Sequence, residues 1–264
     1  MRAWLPYRRF FAALLGTLLL VVAAGVNATP PLREPVQLSL VVAGPLQVGL
    51  EVRLQPGWKF YWRSPGEGGV PPRFDWSASG NLAAAEVAWP APRRIAIGSA
   101  DLHGYTGAVV LPIALTAVDG SKPVALDFTL EYGICKDICI LREDRLSRSL
   151  PPDAAIDAAS VARLARWQAE VPVPAPEAGI GLLSRQAEPG RLIMLISSAQ
   201  PFERPDLFVE GAPEAWFGRP EVSLAPGGRE ARFVIPVQPA EAAAVLPLTL
   251  TLTDVGRAAE LTVR

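Results

Sequence analysis

The sequence predicts an all-β protein: two β-sandwich domains joined by a short helix and a Pro-rich linker. Three observations carry this. Apolar and polar residues alternate with period two over many short runs, the pattern of half-buried strands. Those runs are punctuated by 22 Gly and 27 Pro, as turns between short strands require. One stretch reads at helical spacing, Ile156, Ser160, Leu164 and Trp167. It runs into Val171-Pro172-Val173-Pro174-Ala175-Pro176, a stiff and extended spacer.

The chain of 264 residues opens with Arg2, Arg8 and Arg9, then an apolar run from Phe10 to Val26, then the small-residue site Val26-Asn27-Ala28. This predicts a secretory signal peptide over residues 1–28, cleaved after Ala28; an uncleaved anchor is the alternative. No later stretch approaches the ~20 apolar residues of a spanning helix. The mature chain is therefore expected in an oxidising compartment, the periplasm, with no transmembrane segment. Without the three N-terminal arginines, 22 basic residues face 26 acidic ones, a net of −4. That balance excludes the basic footprint of a nucleic-acid or anionic-membrane binder.

After a tether from Thr29 to Pro35, Val36 to Val42 and Leu46 to Leu54 form two strands around the turn Gly44-Pro45. An aromatic strand follows from Trp58 to Trp62, then a loop from Arg63 to Pro72. Trp58, Phe60 and Trp62 share one parity, so they are read as core and not as a carbohydrate platform. Further strands are expected at Arg73 to Trp76, Glu86 to Trp89, Ala108 to Val118 and Val124 to Cys135. This first domain spans 35–150, and the helix and linker span 151–179, with Asp153 as the helix cap. The second domain, 180–264, has strands at Leu192 to Ser197 and Asp206 to Glu210. Hairpins turn around Pro226-Gly227-Gly228 and Asp254-Val255-Gly256. The two halves show no internal repeat.

Chemistry concentrates in Tyr132-Gly133-Ile134-Cys135-Lys136-Asp137-Ile138-Cys139-Ile140, which holds the two cysteines of the chain. Residues i and i+4 of one straight strand lie about 13 Å apart, too far for a disulfide, so the chain must turn between them. A three-residue hairpin loop, Lys136-Asp137-Ile138, would set Cys135 opposite Cys139. Parity places Cys135 on the polar side of its strand with Glu131 and Gly133, hence at an accessible edge. A structural disulfide is one reading of the pair. So small a loop stabilises by only about 2 kcal/mol, against about 4.7 for a hundred-residue loop, which favours a bond meant to open and close. Lys136 and Arg142 would favour a thiolate and Asp137 oppose it. Soft-metal binding, such as Cu(I), would need a third ligand, and His103 and Met194 are the residues available after cleavage. With one histidine there is no Ser/His/Asp set, and there is no phosphate loop. Asp101-Leu102-His103-Gly104-Tyr105 reads as a loop, either a plain surface turn or a flap over the cysteines with Leu102 or Tyr105 as its shield.

These residues carry a resemblance. The run GWKFYWRSPGEGGVPPRFDW (57–76), then WPAPRR (89–94), GYTGAVVLPI (104–113) and YGICKDIC (132–139), resembles the N-terminal periplasmic region of DsbD-type disulfide reductases. It is most similar to the branch that includes ScsB, and the second β domain resembles the extra periplasmic domain of that branch. The resemblance implies an immunoglobulin-like fold and a thiol-disulfide oxidoreductase of the protein-disulfide reductase type. Cys135 and Cys139 would be the catalytic pair, and Asp101, Leu102, His103 and Tyr105 the cap over it. No cofactor is implied. The implied partners are periplasmic thiol-disulfide proteins, with a separate membrane electron-transfer protein as donor, since the chain shows neither the multi-span nor the thioredoxin-like domain of the family. The competing class is a non-enzymatic, copper-related binding module with a structural or metal-bound cysteine pair, in keeping with the link of the ScsB branch to copper tolerance.

Overall fold

A computed structural model of the chain describes Met1, residues 34–97 and residues 100–264. The predicted signal peptide, its cleavage site and most of the tether lie outside these residues. The alternating runs are strands: β1 (Val36–Gly44), β2 (Gln47–Leu54), β3 (Lys59–Gly66), β4 (Arg73–Asp75), β5 (Leu82–Val87), β6 (Arg93–Ile97), β7 (Ala100–Thr106), β8 (Ala108–Ala117), β9 (Val124–Cys135) and β10 (Cys139–Leu150). They build a four-stranded sheet, β1-β2-β8-β5, and a six-stranded one, β10-β9-β3-β7-β6, with β4 on β9. The sheets enclose one core, in which Leu50, Val52, Leu111 and Ile113 meet Phe60, Trp62, Phe128, Leu130 and Ile134. Each such side chain contributes about 1.5–3 kcal/mol by leaving water. Phe60 and Trp62 are core, as their parity requires.

Two expectations are corrected here. The loop expected from Arg63 begins later, because β3 runs on to Gly66. The segment expected as a loop at Asp101–Tyr105 is the middle of β7, paired with β3 on one side and β6 on the other. Leu102, His103, Gly104 and Tyr105 are all buried, so β7 has no solvent face and shows no alternation to read.

The helix α1 (Ala158–Gln168) is capped by Asp157, not Asp153: its carboxylate accepts from the Ser160 N–H at 2.8 Å. Asp153 lies instead in a turn closed by the Ala154 N–H on Pro151 O. Leu164 packs on Val41, Ala43 and Val110, which lays the helix on the outer face of the four-stranded sheet. The expected linker is extended but built in: Val173–Pro174 form β11.

The remaining elements are β12 (Ile180–Glu188), β13 (Arg191–Ser198), β14 (Asp206–Glu210), β15 (Trp216–Phe217), β16 (Glu221–Leu224), β17 (Glu230–Gln238), a 3-10 turn (Ala240–Ala244), β18 (Leu248–Asp254) and β19 (Arg257–Val263). One sheet is β11-β19-β18-β14, the other β12-β13-β17-β15 with β16 on β17. Met194, Ile196, Phe233, Ile235, Leu207, Leu250 and Leu252 fill the space between. The described residues thus form two immunoglobulin-like β-sandwiches with one short α-helix. Phe208 of β14 reaches out of the second sandwich into the core of the first, edge-on to Trp62 with ring centroids 5.9 Å apart.

Candidate functional site

Cys135 ends β9 and Cys139 begins β10, directly opposite each other in the antiparallel register. Lys136, Asp137 and Ile138 turn the chain between them, and the Lys136 N–H donates to Ile138 O at 3.1 Å. The Cα atoms are 4.1 Å apart and the two sulfurs are joined as a disulfide.

The two sulfurs are not equivalent. Cys139 is exposed, whereas Cys135 is only 2% exposed. The parity inference that put Cys135 at an accessible edge is therefore corrected. Cys135 does lie on the face turned from the main core, but that face is covered by a second, smaller cluster of Tyr61, Leu102 and Ile95. The accessible sulfur is Cys139.

Tyr61 builds this cover because Gly133 leaves room for it. A Cβ at position 133 would lie 2.8 Å from Tyr61 Cε2 and 3.2 Å from Val70 Cβ, so any larger residue would push the ring aside. Lying across Gly133, Tyr61 brings its hydroxyl to 3.1 Å from Cys139 Sγ. A disulfide sulfur carries no proton, so the hydroxyl donates. Burial raises the Tyr61 pKa and keeps it a neutral phenol, able to donate at any physiological pH. Lys59 stands opposite Cys135 across β3 and β9, and its ammonium donates to Lys136 O at 3.4 Å. Arg142, expected beside the pair, is paired with Tyr132 in register, on the other face of β10, where it meets Glu34 and Asp144 at 3.5 Å each.

The four cap residues divide. Leu102 packs on Cys135. Asp101 points to the second sandwich and accepts from Arg219 at 2.9 Å and Arg94 at 3.0 Å. Burial opposes its charge, but these bonds outweigh burial and hold its carboxyl below the usual range. His103 is edge-on to Phe208 with centroids 4.8 Å apart, and its Nδ1 is 3.0 Å from Ser64 O. Burial first, and then the charge of Arg94, lower its pKa to about 4. Tyr105 lies in the main core, where its hydroxyl donates to Pro90 O at 2.7 Å. Tyr61 was missed by sequence reasoning. Its signal, an aromatic of the wrong parity beside a glycine, exists only once β3 is registered against β9.

Neither possible soft ligand reaches the cysteines: His103 is held as described, and Met194 is buried in the second core. Among the described residues no group of three or more His, Cys, Asp or Glu is placed to hold a metal ion. Among the same residues no helix is long and apolar enough to cross a membrane.

Residues 29–151 match the family described as "Thiol:disulfide interchange protein DsbD, N-terminal". Residues 170–264 match one described as "Domain of unknown function (DUF8393)". No curated protein matches the chain. Among solved structures, the N-terminal periplasmic domain of ScsB from Proteus mirabilis is similar, with 27% identity and a TM-score of 0.69 over 82% of this chain and 86% of that one. The N-terminal domain of Neisseria meningitidis DsbD in its reduced form is a slighter match, with 13% identity and a TM-score of 0.29 over 44% of this chain and 85% of that one. The sequence match over residues 29–151 and the similarity to the ScsB domain together support a DsbD/ScsB-type N-terminal region in this chain.

Proposed function

We propose that this chain is a periplasmic thiol-disulfide exchange protein in which Cys139 meets the partner and Cys135 closes the cycle. The observation that carries this is the unequal burial of two bonded sulfurs, one exposed and one covered. Exchange needs in-line access of a thiolate to one sulfur of the bond. Only Cys139 offers it.

In reduction, a donor thiolate attacks Cys139 Sγ, the Cys135–Cys139 bond breaks, and Cys135 leaves as a thiolate. The second donor thiolate then attacks the donor sulfur of the mixed disulfide and releases Cys139. The donor leaves oxidised and the pair holds two electrons. In delivery, the Cys139 thiolate attacks a partner disulfide and expels one partner sulfur. Cys135 then attacks Cys139 Sγ, remakes the internal disulfide and releases the partner as a dithiol. Tyr61 stabilises the Cys139 thiolate in both directions by donating to it. Ile138 and Leu141, 69% and 71% exposed, flank Cys139 with apolar surface for a docked partner. The partners fit the class of periplasmic thiol-disulfide proteins, with a membrane electron-transfer protein as donor.

The test is trapping. Cys135→Ala removes the group that resolves the mixed disulfide, so a reducible adduct should accumulate on a non-reducing gel of periplasmic extract. Cys139→Ala should give none. Adducts with Cys139→Ala alone would reverse the roles, and adducts with neither variant would end the exchange reading.

A further inference from the structure

We propose that the second sandwich is a clamp: through Arg94 and Arg63 it holds β3 and β7 closed over Cys135, so that the contact between the sandwiches sets how far the buried sulfur can be reached. This extends the exchange reading, because the sulfur it guards is the one that closes the cycle.

The geometry points to this because β3 and β7 are shared between two tasks at successive residues. On β3, Tyr61 lies against the cysteines, while Trp62 packs on Phe208 and Arg63 pairs with the second sandwich. On β7, Leu102 lies against Cys135, while Asp101 and His103 on either side of it face the second sandwich. A strand cannot lift one residue while both neighbours stay fixed, because its backbone is continuous and its side chains alternate. The strands that carry the cover over Cys135 therefore lift only if the contact between the sandwiches loosens.

That contact is specific. Arg94 Nε donates to both oxygens of Asp206, at 2.9 and 2.7 Å, and Nη2 donates to Leu207 O at 2.6 Å. Nη1 of the same residue donates to Asp101 at 3.0 Å, so one guanidinium ties the cap strand to β14. Its side chain is 7% exposed and lies over the Phe208 ring, with Cζ 4.5 Å from the centroid. Arg63 makes the second tie. Its Nη2 donates to Glu210 at 2.7 Å and to Glu260. Burial opposes the charge of Arg63, and the two carboxylates outweigh it and raise its pKa. Partly buried, forked guanidinium–carboxylate pairs fix orientation better than exposed ones. Breaking one leaves a poorly solvated charge behind.

The experiment reads Cys135 directly. In the full chain carrying Cys139→Ser, Cys135 is the single thiol, and its rate of modification by iodoacetamide reports how often the cover opens. Asp206→Asn with Glu210→Gln weakens both ties by removing one carboxylate from each, leaving Leu207 O and Glu260 in place, without touching the site. It should raise the rate about tenfold or more, as should Leu102→Ala. Combining the two should give no more than Leu102→Ala alone, because both act through the same cover. Arg219→Gln alters an exposed side chain that holds Asp101, leaves folding undisturbed, and should raise the rate about threefold. The clamp is overturned if the paired substitution or Arg219→Gln leaves the rate unchanged, or if the combined effects multiply. Because Cys139 is absent throughout, the result stands whether or not the trapping experiment supports exchange.

Discussion

Cys139 takes a hydrogen bond from the Tyr61 hydroxyl, and a sulfur that becomes a thiolate holds such a bond more tightly than a neutral one. Tyr61→Phe removes the donor and keeps the ring. It is expected to slow alkylation of reduced Cys139 at neutral pH by about three- to tenfold, with the fold intact. An unchanged rate would remove Tyr61 from the chemistry. Gly133→Ala should slow it similarly by displacing the same ring, at a cost of about 1–3 kcal/mol from overpacking. His103 gives a pH dependence of definite sign. Burial and Arg94 lower its pKa in the folded protein to about 4 from 6.5, with the bond to Ser64 O and then the charge of Asp101 acting in the opposite sense. The unfolded chain thus takes up a proton first as pH falls, and stability is lost between pH 6.5 and 4. At 1.36 kcal/mol per pKa unit the loss is about 3 kcal/mol. Urea midpoints at pH 7 and pH 4 should show that extra loss in the wild type and not in His103→Gln; parallel losses would contradict it. At this scale the facing of the two cysteines was legible from their spacing. Tyr61 was not, because its role depends on a cross-strand glycine 72 positions away in the sequence.

The β9–β10 hairpin is paired along its whole length, from Cys135 opposite Cys139 to Val124 opposite Leu150. Its core residues, Phe128, Leu130, Tyr132 and Ile134, are buried without help from the sulfurs. Replacing both cysteines by serine should therefore cost about 2 kcal/mol or less in urea denaturation. A loss above about 4 kcal/mol would make the disulfide structural. Strand β9 could be read from the sequence because one of its faces is core and the other more polar. β6 and β7 could not, since β7 is covered on both sides, by the cysteine cluster and by the second sandwich. The stiff, extended spacer that the prolines predict at Val173–Pro174 also pairs in parallel with β19, at Ala259 and Glu260, which its sequence does not show. A proline can sit at such an edge because it has no N–H to offer there. The helix cap moved from Asp153 to Asp157 because Pro151 closes a turn that takes Asp153 out of line.

Across the whole molecule, period-two patterning was enough to predict two β-sandwiches, because each sandwich buries one face of nearly every strand. The contact between them was not legible. Arg63 and Glu210, and Arg94 and Asp206, are 147 and 112 residues apart, and charged residues in isolation read as solvated surface. Only the fold shows that these charges and Phe208 converge behind the strands that cover Cys135. The central claim is that an exposed Cys139 receives the partner and a covered Cys135 completes the exchange. Its most direct test is the reaction of the reduced, full-length protein with an excess of a chromogenic aryl disulfide, with mass spectrometry of samples quenched with acid. The account predicts a first aryl thiolate released as a mixed disulfide forms on Cys139, then a second as Cys135 displaces the aryl group and the Cys135–Cys139 disulfide forms. A first adduct on Cys135, or a Cys139 adduct that persists without closing, would contradict it.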